Sequence, residues 1–336
     1  MQQKITIAID AMGGDNAPEV PVEGAVMAAK NPNTEILLVG DPDKIKPELN
    51  KYNINTLPIK IIPSEGKIED SESPALALRQ KPKSSILVST SLVKRGLADA
   101  TISMGSTGGT MAAAVVVLGT IKGIDRPAVG GPIIGSAPNQ TILDLGSNID
   151  CKPSQLLGFG VLGSVSSELL LKITNPKIGI LSVGSEEGKG NSLTKEAYSL
   201  FKKSDLNFIG NVEGNDLITG KADVVVCDGF VGNIILKLIE GLGKGLSKQL
   251  QEILTDKIPA KNIESLIKEL YQKNNVADAA GGGPVYGVNG ISIAGHGSAT
   301  AGTIKRATDL ARMCIETKLI EKMGEKVPEV MGNINS

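Results

Sequence analysis

Aromatic residues are scarce in this chain. Its 336 positions hold no Trp, four Tyr and four Phe, 2% in all. Single-stranded nucleic acids are held by stacking bases on aromatic side chains, so that class of partner is disfavoured. His296 is the single histidine, which excludes a multi-histidine metal centre. Cys151, Cys227 and Cys314 are the only cysteines and lie far apart. They form no Cys-x-x-Cys pair and no even disulfide set, and a reducing compartment is their natural setting. Neither charge is in excess. Lys+Arg 35 against Asp+Glu 36 leaves −1, no field that would attract a phosphate backbone. The opening MQQKITIAIDAMGGD has none of the features of a secretory signal. Residues 100–121 carry no formal charge, but Gly105–Thr110 interrupt them. The continuous apolar part, Met111–Leu118, is too short to cross a bilayer.

Glycine and aliphatic residues are plentiful: Gly 40, and 41% hydrophobic overall. A chain of this length and apolar content buries a full core. Short apolar runs alternate with helical patterns. Strands are expected at Ile5–Ile9, Ile36–Val39, Ile59–Ile62, Ala100–Met104, Thr141–Leu145, Ile178–Val183, Asn207–Ile209, Asp223–Cys227 and Ile291–Ala294. Helices are expected at 19–30, 72–80, 85–96, 107–119, 153–174, 190–203, 231–254, 260–273 and 298–323. Several strands are apolar throughout, as when both sheet faces are covered. This alternation predicts an α/β fold with a mainly parallel sheet. No linker or repeat marks a boundary, so 1–336 reads as one unit with two lobes around a cleft. The segment 231–283 stands apart. Leu238, Leu242, Leu246, Leu250 and Leu254 recur every four residues, Pro259 breaks the pattern, and Ala279–Gly283 is expected to be mobile. Contact with a second copy, another protein or a membrane, carrying a local +2 over 244–273, or ordinary core are the readings of that stripe.

Most of the chemistry-bearing residues sit where an apolar strand gives way to a small, polar or acidic loop, the place where parallel sheets build sites. Asp10-Ala11-Met12-Gly13-Gly14-Asp15 sets two carboxylates around a glycine pair; a capped turn is the bland alternative. Ser103-Met104-Gly105-Ser106-Thr107-Gly108-Gly109 opens a helix, where free N–H groups and the hydroxyls of Ser106 and Thr107 suit an anion, or cap the helix. Asp144-Leu145-Gly146-Ser147-Asn148-Ile149-Asp150 offers Asn148 to an oxyanion and Asp144 to a base or cation, with Asp150 as a helix cap. Lys189 and Asn191, in Gly184–Asn191, have the look of a phosphate loop. Asp228-Gly229-Phe230-Val231-Gly232-Asn233 resembles the second loop. His296, between Gly295 and Gly297 and followed by Ser298, suits proton transfer near neutral pH. Gly158–Gly163 satisfies G-x-G-x-x-G but follows a helix start rather than a strand, so a small-residue helix face is expected and no dinucleotide. Cys227 reads as a buried strand cysteine rather than a nucleophile.

Taken together and in order, DAMGGD (10–15), SMGSTGG (103–109), GIDRPA (123–128), LDLGSNIDC (143–151), EGKGN (187–191), GNVEG (210–214), DVVVCDGFVGN (223–233) and HGS (296–298) resemble the phosphate acyltransferase (PlsX) family of bacterial phospholipid synthesis. The resemblance covers nearly the whole chain. Ser106 replaces the family's usual Asn, and Ser147 a frequent Ala. It implies a three-layer α/β/α sandwich with a cleft, like the isocitrate and isopropylmalate dehydrogenases and the phosphotransacetylases, usually dimeric. It implies transfer of a long-chain acyl group from acyl carrier protein to inorganic phosphate, in a cytoplasmic protein able to sit on the membrane surface. No cofactor, resident metal or nucleic acid is expected. In that reaction Gly105, Ser106, Thr107, Gly108, Lys189, Asn191 and Arg126 would cradle phosphate, and Asn148 or a backbone N–H would meet the oxyanion. His296 would orient phosphate or donate a proton, and Asp10 or Asp228 would hold donors in place. Gly13, Gly14, Asp15, Asp144, Gly229, Asn233 and Ser298 complete the expected substrate site. The alternatives are a coenzyme A acyltransferase of phosphotransacetylase type and a non-catalytic scaffold for lipid synthesis.

Overall fold

The computed structural model describes residues 4–69, 71–255, 257–274 and 281–335. The chain divides into two compact units, one of residues 1–129 and 280–325, the other of 130–279 and 326–336. Each is built around its own sheet rather than sharing one.

The first unit holds a seven-stranded sheet in the order β3-β2-β1-β4-β12-β11-β5. These strands are β1 (Ile5–Asp10), β2 (Thr34–Gly40), β3 (Ile59–Pro63), β4 (Ala100–Ser103), β5 (Ala128–Val129), β11 (Gly283–Tyr286) and β12 (Ile291–Ala294). β3, β2, β1, β4 and β12 run parallel, while β11 is antiparallel to both β12 and β5. The buried run Ile7, Ala8, Ile9 faces cover on both sides, which is why β1 carries no polar alternation. Helix α1 (Glu19–Ala29) and the helix Ala301–Glu316 (α11) lie on one face; α4 (Ser85–Lys94) lies on the other. The second unit is inserted between β5 and β11, and those strands pair with each other, Val129 opposite Val285.

The second unit holds a five-stranded sheet in the order β6-β7-β10-β8-β9. Its strands are β6 (Gly131–Pro132), β7 (Thr141–Leu143), β8 (Ile178–Leu181), β9 (Phe208–Val212) and β10 (Val224–Val226), parallel except for β6. Helices α6 (Pro153–Leu170) and α7 (Ser192–Lys203) cover one face. Val231, Ile235 and Leu236 of α9 (Gly229–Leu254) pack with Val225, Ile142 and Leu217 on the other. Gly158, Gly160 and Gly163 sit inside α6, as expected of a small-residue face. A side chain at Gly160 would strike Phe201, and one at Gly163 would strike Val224.

Several expectations need correction. The helix expected over 298–323 is two, α11 and Leu319–Asn335 (α12), separated at Lys318, whose φ is +55°. Its apolar periodicity continues through the break, so periodicity alone misses it. The helix expected over 107–119 is α5 (Thr107–Ala113) followed by a π-helical turn, Ala114–Leu118. Pro42–Leu49 (α2) is an unexpected helix: Asp41 caps it by accepting from the Asp43 N–H at 3.0 Å, and Pro42 fits its first position. Residues 279 and 280 of the segment expected to be mobile lie outside the described residues, while Gly283 opens β11. Leu238, Leu242 and Leu246 are exposed, so their stripe is not ordinary core.

Candidate active site

In each sheet, three neighbouring parallel strands release their loops at the same carboxyl edge. In the first unit these strands are β1, β4 and β12, and the loops are Asp10–Asp15, Ser103–Gly109 and Gly295–Ser298. Asp10 is buried and organises them. Its Oδ2 accepts from Ser103 Oγ at 2.8 Å and its Oδ1 from the Met12 N–H at 3.0 Å. Burial pushes its carboxyl above the usual aspartate range, and those hydrogen bonds oppose the shift. Ser103 Oγ in turn accepts from the Gly105 N–H at 3.1 Å. A Cβ on Gly13 would lie 2.8 Å from the Gly105 nitrogen, so these glycines are what lets the loops touch. The third loop is tied in by the backbone: Gly295 N–H donates to Ser103 O at 3.0 Å, and Asp15 N–H to Gly297 O at 2.8 Å. His296 therefore stands on a loop fastened to both others.

Ser106 caps α5 by accepting from the Gly109 N–H at 3.3 Å, leaving Thr107 and Gly108 exposed on the first turn. The N–H groups of a first helical turn have no partner within the helix. Gly14 lies beside Met104 and Gly297, with φ +103°. Asp15 and Ser298 are exposed; neither Asp15 nor Asp150 caps a helix, since Pro18 and Lys152 hold the cap positions of α1 and α6. Arg126 is exposed and precedes β5, where Ala128 pairs with Tyr286. Through β11 that register matches the start of β12, the amino end of the parallel strands, away from these loops.

In the second unit the neighbouring strands are β7, β10 and β8, and the loops are Asp144–Asp150, Cys227–Asn233 and Ser182–Asn191. Asp144 is fully buried and plays the part of Asp10. Its Oδ2 accepts from the Asn148 N–H at 2.7 Å and from Asn148 Nδ2 at 2.8 Å, and its Oδ1 accepts from the N–H groups of Gly146 at 3.3 Å and Ser147 at 3.2 Å. The Asn148 side chain is thus engaged in holding its own loop. Gly229 N–H donates to Asn148 O at 2.7 Å, and no side chain fits at Gly229 against Asn148. Gly146 lies against Asn233, which is exposed. Asp228 caps α9 through the Val231 N–H at 2.8 Å, and Asn191 caps α7 through the Thr194 N–H at 2.9 Å. Lys189 is exposed, its stem folded over Gly184.

Cys227 is buried, with burial as the main force driving its thiol far up. Cys151 donates to Asn148 O at 3.3 Å and is pushed up to about 11, again by burial first and Asp144 second. Neither offers a thiolate nucleophile. Ser103 is the site residue that sequence reasoning missed. The signal was present: a hydroxyl ending a fully buried strand needs a partner.

A family model described as "Fatty acid synthesis protein" matches residues 5–322. The chain is 45% identical over 328 residues to a phosphate acyltransferase of Pelotomaculum thermopropionicum, covering 96% of this chain and 95% of that protein. It is 43% identical over 329 residues to one of Clostridium acetobutylicum, covering 96% and 99%. Among solved structures, a phosphotransacetylase from Streptococcus pyogenes matches with a TM-score of 0.62 at 19% identity, over 93% of this chain and 94% of that one. A 4-hydroxythreonine-4-phosphate dehydrogenase from Klebsiella pneumoniae matches with a TM-score of 0.51 at 13% identity, over 92% and 97%. At such identities the likeness is one of fold, and it bears out the expected α/β class. Motif order and full-length similarity together show that this enzyme belongs to the fatty acid synthesis protein family, the PlsX phosphate acyltransferases.

Proposed function

We propose that the chain moves a fatty acyl group from the thioester of acyl carrier protein to inorganic phosphate, supplying acyl phosphate to phospholipid synthesis. The observation that carries this reading is the joined edge of β1, β4 and β12, where the Gly13 and Gly105 loops touch beside the His296 loop. An oxygen of hydrogen phosphate attacks the thioester carbonyl carbon and forms a C–O bond. The tetrahedral oxyanion collapses with loss of the C–S bond, and the proton carried by hydrogen phosphate passes to the departing thiolate. Phosphate is the nucleophile, so the shielded cysteines are no obstacle. The first turn of α5 supplies N–H groups to phosphate, and His296 is the side chain suited to carry the proton. Asp10 acts through Ser103 and is a positioning residue. In the second unit Lys189 is assigned to an anionic substrate group, with Asn191, Asn233 and Asp228 on loops of the same carboxyl edge.

Release of carrier thiol from palmitoyl-acyl carrier protein, followed with and without phosphate, tests this. Release is expected to require phosphate; release indifferent to phosphate rejects the reaction. His296→Ala and Lys189→Met are each expected to lower kcat/KM by about 100-fold. Turnover within about threefold of the parent rejects the role of the residue replaced.

The exposed stripe of α9, Ile234, Leu238, Leu242 and Leu246, supports reading this helix as the contact face for a second copy, the homodimer of the family resemblance. Leu238→Glu with Leu242→Glu is expected to shift the protein to monomer in light scattering; an unchanged mass removes α9 from the interface. No described helix is long and apolar enough to cross a membrane. The same exposed residues support a transient contact with the inner face of the cell membrane by a cytoplasmic protein, measured by co-sedimentation with anionic vesicles.

A further inference from the structure

Large apolar side chains are unevenly placed on the two carboxyl edges. Among the described residues, the loops after β1, β4 and β12 expose none of them, whereas each of the three loops of the second unit exposes one. Ile149 follows β7 at 63% exposure, Val183 follows β8 at 83%, and Phe230 follows β10 at 58%. The strands are adjacent, in the order β7-β10-β8. Ile149 and Phe230 each flank one end of the Asn148 O to Gly229 N–H hydrogen bond at 2.7 Å, so the two residues leave the sheet side by side. Val226 pairs with Ile180 in parallel, so Val183 and Phe230 follow the carboxyl ends of adjacent strands. The three residues thus follow three adjacent strands at one edge, and Phe230 is one of only four phenylalanines in the chain.

Exposed apolar surface at the carboxyl edge of a parallel sheet has no folding benefit and stands where ligands bind. The Asp228 and Lys189 loops, which carry Phe230 and Val183, also carry the polar residues assigned above to substrate. A ligand for this edge therefore needs a charged end and a long apolar end. We propose that Ile149, Val183 and Phe230 bind the fatty acyl chain past its first six carbons and set the preference for long chains. This rests on the acyl-transfer reading and deepens it.

The test separates the two. Alkyl phosphonates of about six and about sixteen carbons serve as probes and are titrated calorimetrically onto the full-length parent, onto Val183→Thr, which keeps the side-chain shape, and onto the Val183→Thr, Phe230→Ser double variant. The parent is expected to bind the longer probe at least about tenfold more tightly, since each buried methylene contributes favourably. The double variant is expected to bring the ratio to within about threefold, with the shorter probe held as before, and Val183→Thr is expected to fall between. A parent without chain-length preference, or variants that keep it, overturn the proposal. So does a double variant that keeps the preference but changes oligomeric state, which would assign these residues to contact between copies. Because the readout is binding, it decides the proposal even if phosphate-independent thiol release has rejected the reaction.

Discussion

Gly13→Ala is expected to lower kcat/KM for phosphate by two orders of magnitude or more. The added Cβ would lie 2.8 Å from the Gly105 nitrogen, 2.9 Å from Asp10 Oδ2 and 3.0 Å from Ser103 Oγ. None of these is the free end of a flexible side chain. The first is backbone, and the other two are joined to each other by a 2.8 Å hydrogen bond. Relief comes only by moving one loop off the other, and displacement of about 1 Å at a reacting centre costs about 100-fold. Steady-state kinetics at varied phosphate, beside a thermal melt, measure the effect. Gly214→Ala is the control, because nothing lies within 4 Å of its would-be Cβ. Parent-like kinetics for Gly13→Ala would mean that the Gly13–Gly105 contact is incidental.

Asp144→Ala is expected to cost about 4 kcal/mol of stability in the second unit. The carboxylate is fully buried and accepts from three backbone N–H groups and the Asn148 amide. Gly146 is exposed, so water replaces the lost partner there. Asn148 is buried and loses two acceptors at once, at about 1–3 kcal/mol each. Urea unfolding should show the loss, with Asp144→Asn recovering part of it through its remaining carbonyl oxygen. Equal midpoints for parent and Asp144→Ala would show that the loop is held by other contacts.

The strands that build the site were legible because their runs end abruptly in small or acidic residues: Ile5–Ile9 before Asp10, Ala100–Met104 before Gly105, Ile291–Ala294 before Gly295. The division into two sheets was not, because strand order is set by pairings far apart in the chain, such as β4 with β12. β5, β6 and β11 are two to four residues long, the last two opening on glycine and proline, and are too short to show a period. Roles were harder than places. Asn191 and Asp228 look alike as ligands and as caps, since in both cases a side-chain oxygen is required, and the structure has each capping a helix. Arg126 was drawn in by its motif, but the register of β5 carries it to the other end of the strands.

The return of the chain from β5 to β11 has a consequence for biosynthesis. When Ser103 has left the ribosome, β4 has its partner β1 on one side and nothing on the other, because β12 begins at Ile291. About 180 residues must still be made, roughly 10 to 40 s at ordinary elongation rates. Throughout that time the open side of β4 is a bare edge of unpaired backbone N–H and C=O groups, able to pair with any other strand. Nascent chains arrested before residue 283 should therefore be strong clients of ribosome-associated chaperones, and full-length chains released from the ribosome much weaker ones.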